Sequence, residues 1–385
     1  MTGTPTARDI AYRGFHLPAD LDLGTADGVA PADGGLVVAA PTGHLDGNDT
    51  TSWTSPVVEA GFPVAELVPS WTAETPPGCA LRIELRGWHT GTPTTGWYPL
   101  ARWAADDTRT SLPGQRDGDA RVETDTLVVG DATVTGWQLR ATLLRPAGTD
   151  LTPVLRTVGA VASGRQVAPV VGVHRAAPGG IAHGRTLEVP RYSQRLHGGA
   201  ETRWGGGGYS WCSPTCISMV LDFWTAGPAP DRYAWVTPPG PRPVVVHAAR
   251  HCYDRAYAGA GNWSFNTAYA GLHGVGAFVT RLRSLVEAEE FIAAGVPLVL
   301  SAAFRSGQVP GLDYDTRGHL MVLAGFTAEG DPVLNDPYAP DDDAVRRTVD
   351  RDRFEAAWQA GSGGLAYVVR PASVPLPPPP AQANW

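Results

Sequence analysis

Gly205-Gly206-Gly207-Gly208-Tyr209-Ser210-Trp211-Cys212-Ser213-Pro214-Thr215-Cys216, continuing into Ile217-Ser218-Met219-Val220-Leu221-Asp222-Phe223-Trp224, decides how the second half of the chain folds. A flexible glycine run ends at a cysteine, Ser213 or Cys212 falls at a cap position, and Pro214 suits a first helical turn. The apolar run that follows predicts a helix over 213–225. A thiol at the start of that helix faces free backbone N–H groups and the positive end of the macrodipole. Both favour the thiolate, so Cys212 is the candidate nucleophile. Set against this, a lone cysteine near a helix start is more often a small core residue. Cys216 shares a helix face with Val220 and reads as core.

A thiolate needs a base. Gly318-His319-Leu320-Met321-Val322-Leu323-Ala324-Gly325-Phe326 places a histidine at the entry to a buried strand. After the turn Ala328-Glu329-Gly330-Asp331, the strand Pro332-Val333-Leu334-Asn335-Asp336-Pro337 returns alongside it. Such a hairpin brings Asn335 or Asp336 beside His319, where either fixes the imidazole's orientation. Gln194, in Val189-Pro190-Arg191-Tyr192-Ser193-Gln194, offers a side-chain amide for an oxyanion together with the Cys212 N–H. Alone, it reads as an ordinary surface glutamine.

Downstream, Asn262-Trp263-Ser264-Phe265-Asn266-Thr267-Ala268-Tyr269-Ala270 is rich in aromatics and amides. Aromatic walls with amide donors suit an extended peptide. Trp211, Asn262, Trp263 and Asn266 are therefore the candidate substrate-binding residues, with a buried loop of self-satisfied amides as the alternative. His247 and His251, followed by Cys252, share a helical face at a spacing that suits zinc. No glutamate follows His247 in the metalloprotease position, so a helix packed with aromatic and histidine side chains is expected. No metal and no cofactor are expected.

Bulk composition narrows the classes. The 385 residues suit two domains with tails, and 43% hydrophobic with 18% charged residues is globular composition. A net charge of −8 without a basic run argues against nucleic acid as a partner. All 30 basic residues are arginine, which excludes a P-loop, a pyridoxal Schiff base and lysine nucleophiles. The four cysteines are too scattered for a disulfide framework. The first 30 residues lack a signal-like apolar core, and no apolar stretch is long enough to insert in a membrane. Cytoplasm is the default expectation, with an extracellular position left open.

Residues 1–170 read as all-β. Leu81-Arg82-Ile83-Glu84-Leu85-Arg86 and Trp137-Gln138-Leu139-Arg140-Ala141-Thr142-Leu143 alternate apolar and polar side chains, the mark of half-buried strands. Shorter candidates fall at 35–40, 97–103, 126–130 and 154–161, without an amphipathic helix among them. An antiparallel sandwich is expected, although a barrel would use the same alternation. The stretch 163–186 reads as a connection. Residues 187–370 place helices at 213–225, 244–258, 284–294 and 351–360, with strands at 296–304, 319–326, 332–335 and 365–369. That is an α+β order. Residues 371–385, with Pro375 and the run from Pro377 to Pro380, are expected to be an extended or disordered tail.

These residues carry a resemblance. Gln194, the block Trp211-Cys212-Ser213-Pro214-Thr215, Gly318-His319 and Asn335-Asp336-Pro337 resemble the C39-like family of papain-fold cysteine peptidases, over about 187–370. The first half, with Gly61-Phe62-Pro63 and Glu66-Leu67-Val68-Pro69-Ser70-Trp71, resembles the β-rich domain preceding such peptidases in actinobacterial proteins. The resemblance implies a papain-like fold, Cys212 as nucleophile, His319 as base, Asp336 as orienting acid and Gln194 in the oxyanion hole. It implies hydrolysis of peptide or amide bonds through a thioester, with a polypeptide or peptide-containing substrate as partner. A transferase or peptidoglycan amidase would use the same triad. A sugar- or protein-binding module with an inactive papain-like domain is the reading from another class. No transporter region accompanies the peptidase-like half, unlike the family's exporter-fused members.

Overall fold

The computed structural model describes residues 8–166, 180–198, 203–237 and 239–385. Most of the connection read at 163–186 therefore lies outside the described residues. Residues 10–163 are all-β and divide into two antiparallel sheets, of seven and nine strands among the described residues. Alternation places the apolar side chains of both sheets inward. In Ala80–His89 and Gly136–Pro146, Leu81, Ile83, Leu85, Leu139, Ala141 and Leu143 are fully buried. Trp71 from the first sheet meets Trp103 from the second edge to face, with ring centroids 6.3 Å apart. The two strands just named pair from Gly136 against Trp88 to Leu144 against Ala80, the register their alternation requires.

The second half mixes helices and strands. The helices Cys212–Phe223, Pro243–Cys252 and Trp263–Gly271 come first. A six-stranded antiparallel sheet follows, ordered Gly276–Arg281, Leu365–Arg370, Leu298–Phe304, Thr316–Phe326, Pro332–Asn335 and Arg346–Thr348. The helix expected over 244–258 stops at Cys252, whose successor Tyr253 turns extended at φ −63° and ψ 126°. The strand Gly276–Arg281 and the helix Trp263–Gly271 were not expected. That helix is buried on nearly every side, so it lacks the one-sided apolar stripe by which a surface helix is read.

The halves share one continuous core. Phe265 packs edge to face against both Trp71 and Trp103, at 6.2 and 5.3 Å between centroids. Ser264 donates to the Pro69 carbonyl, and Arg109 donates to the Arg250 and His251 carbonyls. Arg281 pairs with Glu66, which also holds Arg8. These contacts fix the first half as one wall of a cleft in the second.

Of the two expectations for 371–385, the segment is not a disordered tail but a chain without regular structure. The segment has no helix or strand, as its prolines dictate, but it folds back across both halves. Tyr12 N–H donates to the Ala383 carbonyl, Arg283 donates to Gln382, and the fully buried Asn384 donates to Glu287. Trp385 meets Phe291 at 4.9 Å. Polar anchors far apart in sequence decide this, and composition cannot report them. Deleting residues 371–385 is expected to lower the thermal midpoint by about 5 °C, measured by calorimetry. An unchanged midpoint would mean that the strap adds nothing.

Candidate active site

Cys212 is the first residue of its helix, with Trp211 at the cap position rather than Ser213 or Cys212 itself. The chain enters through a left-handed stretch: Trp204, Gly205, Gly206 and Gly207 have φ of 54°, 92°, 98° and 70°. Values as high as those of Gly205 and Gly206 favour glycine, and a Cβ on Gly205 would stand 2.7 Å from the Gly259 Cα. The glycine run is therefore what lets the chain turn tightly against 258–260 before presenting the thiol.

His319 opens the buried part of Thr316–Phe326, and Asp336 follows the end of Pro332–Asn335. His319 Nε2 lies 2.8 Å from Asp336 Oδ1. His319 is also hydrogen-bonded to the Cys212 thiol. Of the two residues expected beside the histidine, Asp336 occupies the place. Asn335 instead donates to the Val189 and Pro190 carbonyls and accepts from Arg346.

Asp336 is fully buried and held from several sides. Tyr338 N–H donates to Oδ1 at 2.9 Å and the Tyr314 hydroxyl to Oδ2 at 3.1 Å, with Arg347 Nε 3.6 Å from Oδ2. Burial pushes its carboxyl up, but the His319 hydrogen bond and charge outweigh that and hold it below the usual range. Burial pulls the His319 imidazole down, and its bonds to Asp336 and Cys212 reverse this, raising it to about 10. Burial likewise raises the Cys212 thiol, while His319 and the Leu320 and Ser213 backbone groups lower it further. The thiol is lowered and the imidazole raised, each by the charged form of the other. Cys216 is the contrast: fully buried, bonded to the Leu320 carbonyl, and pushed well above the ordinary thiol.

Tyr314 and Tyr338 flank His319 at 5.5 and 6.2 Å between ring centroids. Sequence reading missed both. Tyr314 sits in a polar, Gly- and Asp-containing loop, where one aromatic among turn residues was its only signal. Gln194 is 1% exposed, so the surface-glutamine alternative does not describe it. Its N–H donates to the Pro337 carbonyl, its side-chain oxygen is buried without a partner, and a Cβ on Gly208 would come 2.2 Å from its carbonyl.

Three of the four substrate-binding candidates are corrected. Trp211 is fully buried and donates to the Trp204 carbonyl. Asn262 caps the helix Trp263–Gly271 by accepting from Phe265 N–H, and donates to Asp254. Asn266 donates to the Ala260 and Asn262 carbonyls. Amides held inside the core in this way do not reach a substrate. Trp263 does line the cleft. His247 and His251 stack at 3.9 Å, and His247 bonds to the Tyr269 hydroxyl, so this face is filled by its own rings.

The cleft holding Cys212 and His319 has a volume of about 830 Å³. The second half lines most of it, and the turn 123–126 of the first half closes one side. Among the described residues no helix is long and apolar enough to cross a membrane.

Two family models match the chain. The peptidase C39 N-terminal domain matches residues 11–163, and the Peptidase_C39 like family matches residues 186–365. A search of curated proteins finds no match. Solved structures similar to the chain include a low-affinity xylan binding module from Roseburia intestinalis, at 14% identity and TM-score 0.19, covering 39% of this chain and 93% of that one. Another is a Clostridium thermocellum xylanase, at 11% identity and TM-score 0.20, covering 46% and 32%. A third is a structure of infectious bursal disease virus, at 13% identity and TM-score 0.22, where this chain spans 34% of the other's length. Likenesses this slight carry no argument about fold or ligand. The two family matches, one on each half, do: the chain belongs to the C39-like peptidase family, in the form that carries the family's actinobacterial N-terminal domain.

Proposed function

We propose that the chain is a cysteine peptidase that cleaves peptide or amide bonds through a Cys212–His319–Asp336 triad. The observation that carries this is the His319–Asp336 bond of 2.8 Å, with His319 also hydrogen-bonded to a thiol at a helix N-terminus. The thiolate attacks the carbonyl carbon and the oxygen becomes an oxyanion. The Cys212 N–H and the Gln194 side-chain amide stabilise it. His319, protonated at rest, gives its proton to the leaving amine, and a thioester to Cys212 remains. The neutral imidazole then draws a proton from water, whose oxygen attacks the thioester and releases the acid. Asp336 keeps the ring in one orientation throughout and stabilises its charged form. Helices preceding an antiparallel sheet, with nucleophile and base on opposite sides of one cleft, fit a papain-like fold.

The test is iodoacetamide labelling of Cys212 across pH 5–10, since this reagent reads the thiolate and needs no substrate. Wild type is expected to label at a nearly constant rate through neutral pH, because both members of the pair keep their charges there. In His319→Ala the rate should instead climb only near pH 8–9, as for an ordinary thiol. At pH 6.5 the two should differ about 100-fold. Identical profiles would refute the activated thiolate.

A further inference from the structure

Six acidic side chains in the described residues are at least nine-tenths buried, and four of them face a basic side chain. Glu84 lies between Arg82 and Arg140, Asp49 between His44 and Arg145, and Glu289 against Arg351. Asp336 has His319, and Asp254 accepts N–H groups from Ser111, Ala256 and Asn262. Asp254 and Asp125 thus lack a basic partner among the described residues, and of the two Asp125 lines the cleft. It is 8% exposed, accepts from Trp263 N–H at 2.7 Å and from the Thr126 hydroxyl at 3.2 Å, and forms no ion pair among the described residues. Its nearest charge of consequence is Asp254, of the same sign. A buried carboxylate without a cation is costly, and folded chains keep one where something else supplies the charge.

Asp125 sits in the turn of the first half that lines the cleft of Cys212 and His319. Beside it stands Tyr257, 50% exposed and also lining the cleft, its ring lying over Gly259, where a Cβ would meet it at 2.7 Å. Asp125, Tyr257 and Cys212 line the same cleft, and the charges of Asp125 and Cys212 both raise the Tyr257 hydroxyl after burial does. An exposed aromatic face accommodates a methylene stem, and a buried carboxylate at its end takes a positive charge.

We infer that Asp125 and Tyr257 form a subsite, one residue from each half of the chain, that selects a substrate side chain with an aliphatic stem and a cationic head. This deepens the peptidase reading and rests on it for the identity of the cleft as the substrate site. The N-terminal half then acts as part of the recognition surface rather than as a passive neighbour. Asp125 is held in place from the far side, because its bond to Trp263 N–H ties the turn to the start of the helix Trp263–Gly271. Burial raises its carboxyl to about 6, so it is ionised at pH 7.5 and available to a cation.

The experiment uses fluorescent hexapeptides of alanine and serine in which one lysine moves through the positions, each matched to its norleucine counterpart. Binding is measured on the full chain carrying Cys212→Ala, and cleavage on the wild type, at pH 7.5. One lysine position should bind at least about tenfold tighter than norleucine. Adding Asp125→Asn, which keeps an acceptor for Trp263 N–H, should bring that ratio close to one. Adding Tyr257→Ala should weaken lysine and norleucine peptides alike, since both lose the stem contact. A tenfold preference that survives Asp125→Asn overturns the inference, as does the absence of any lysine preference. Iodoacetamide labelling of the wild type separates the two failures: a sluggish thiol sinks the peptidase reading, while the binding ratios still decide the subsite.

Discussion

Cys212→Ala is expected to lower peptide cleavage by about 10⁴-fold or more, to the level left by binding and oxyanion stabilisation alone. His319→Ala should fall nearly as far, because the two act as a unit and the double variant should lose little more than either alone. The reason lies in the geometry: the thiol is lowered mainly by His319, and the imidazole is raised by Asp336 and the thiol together. Removing either member dissolves the charged pair on which both steps depend. Cys216→Ala is the control, since its thiol lies in the core. A mixed peptide library, sampled by mass spectrometry over time, reads the cleavage. Cleavage that persists in Cys212→Ala at more than a hundredth of the wild-type rate would assign the nucleophile elsewhere.

Asp336→Ala should be costly in two ways. It leaves the Tyr314 hydroxyl, the Tyr338 N–H and a charged His319 without their common acceptor in a site closed to water. Breaking a buried pair from one side costs about 3–5 kcal/mol, so denaturant midpoints should fall accordingly. The second cost is catalytic, of the order of 10⁴-fold, because the imidazole loses both its orientation and its charge partner. Asp336→Asn keeps the shape and separates the two, restoring most of the stability but little of the rate. The pH dependence follows from the same group. Its carboxyl is depressed in the fold, so its contribution is complete above the ordinary carboxylate pKa. That contribution is lost as pH falls through the depressed value. His319 is raised, so its contribution is complete below the ordinary imidazole pKa and lost as pH rises towards about 10. Stability should therefore fall in acid, and on the alkaline side decline from the ordinary imidazole pKa upward, with the acid limb reduced in Asp336→Asn. An acid limb of unchanged size in that variant would place its cause in the other depressed carboxylates, Glu66 and Asp107 among them.

Local pattern alone determined the all-β first half, the mixed second half, the helix opening at Cys212 and the strand pair carrying His319 and Asp336. Each follows from what a few adjacent residues permit: alternation for a pleated strand, glycine for a left-handed entry, a turn that returns one strand to the next. The tertiary structure decided which polar groups face the cleft. Trp211, Asn262 and Asn266 have the chemistry of a binding wall, yet the core takes them, because a fully buried helix needs its own amides for its own backbone. The choice of Asp336 over Asn335 was likewise not local, since neighbours on a strand point to opposite faces and only the packed register says which face holds the histidine. The strap 371–385 and the turn 123–126 meet partners more than ninety residues away in sequence. Contacts of that range arise from packing the two halves on one core, and no stretch of sequence short enough to read by pattern contains them.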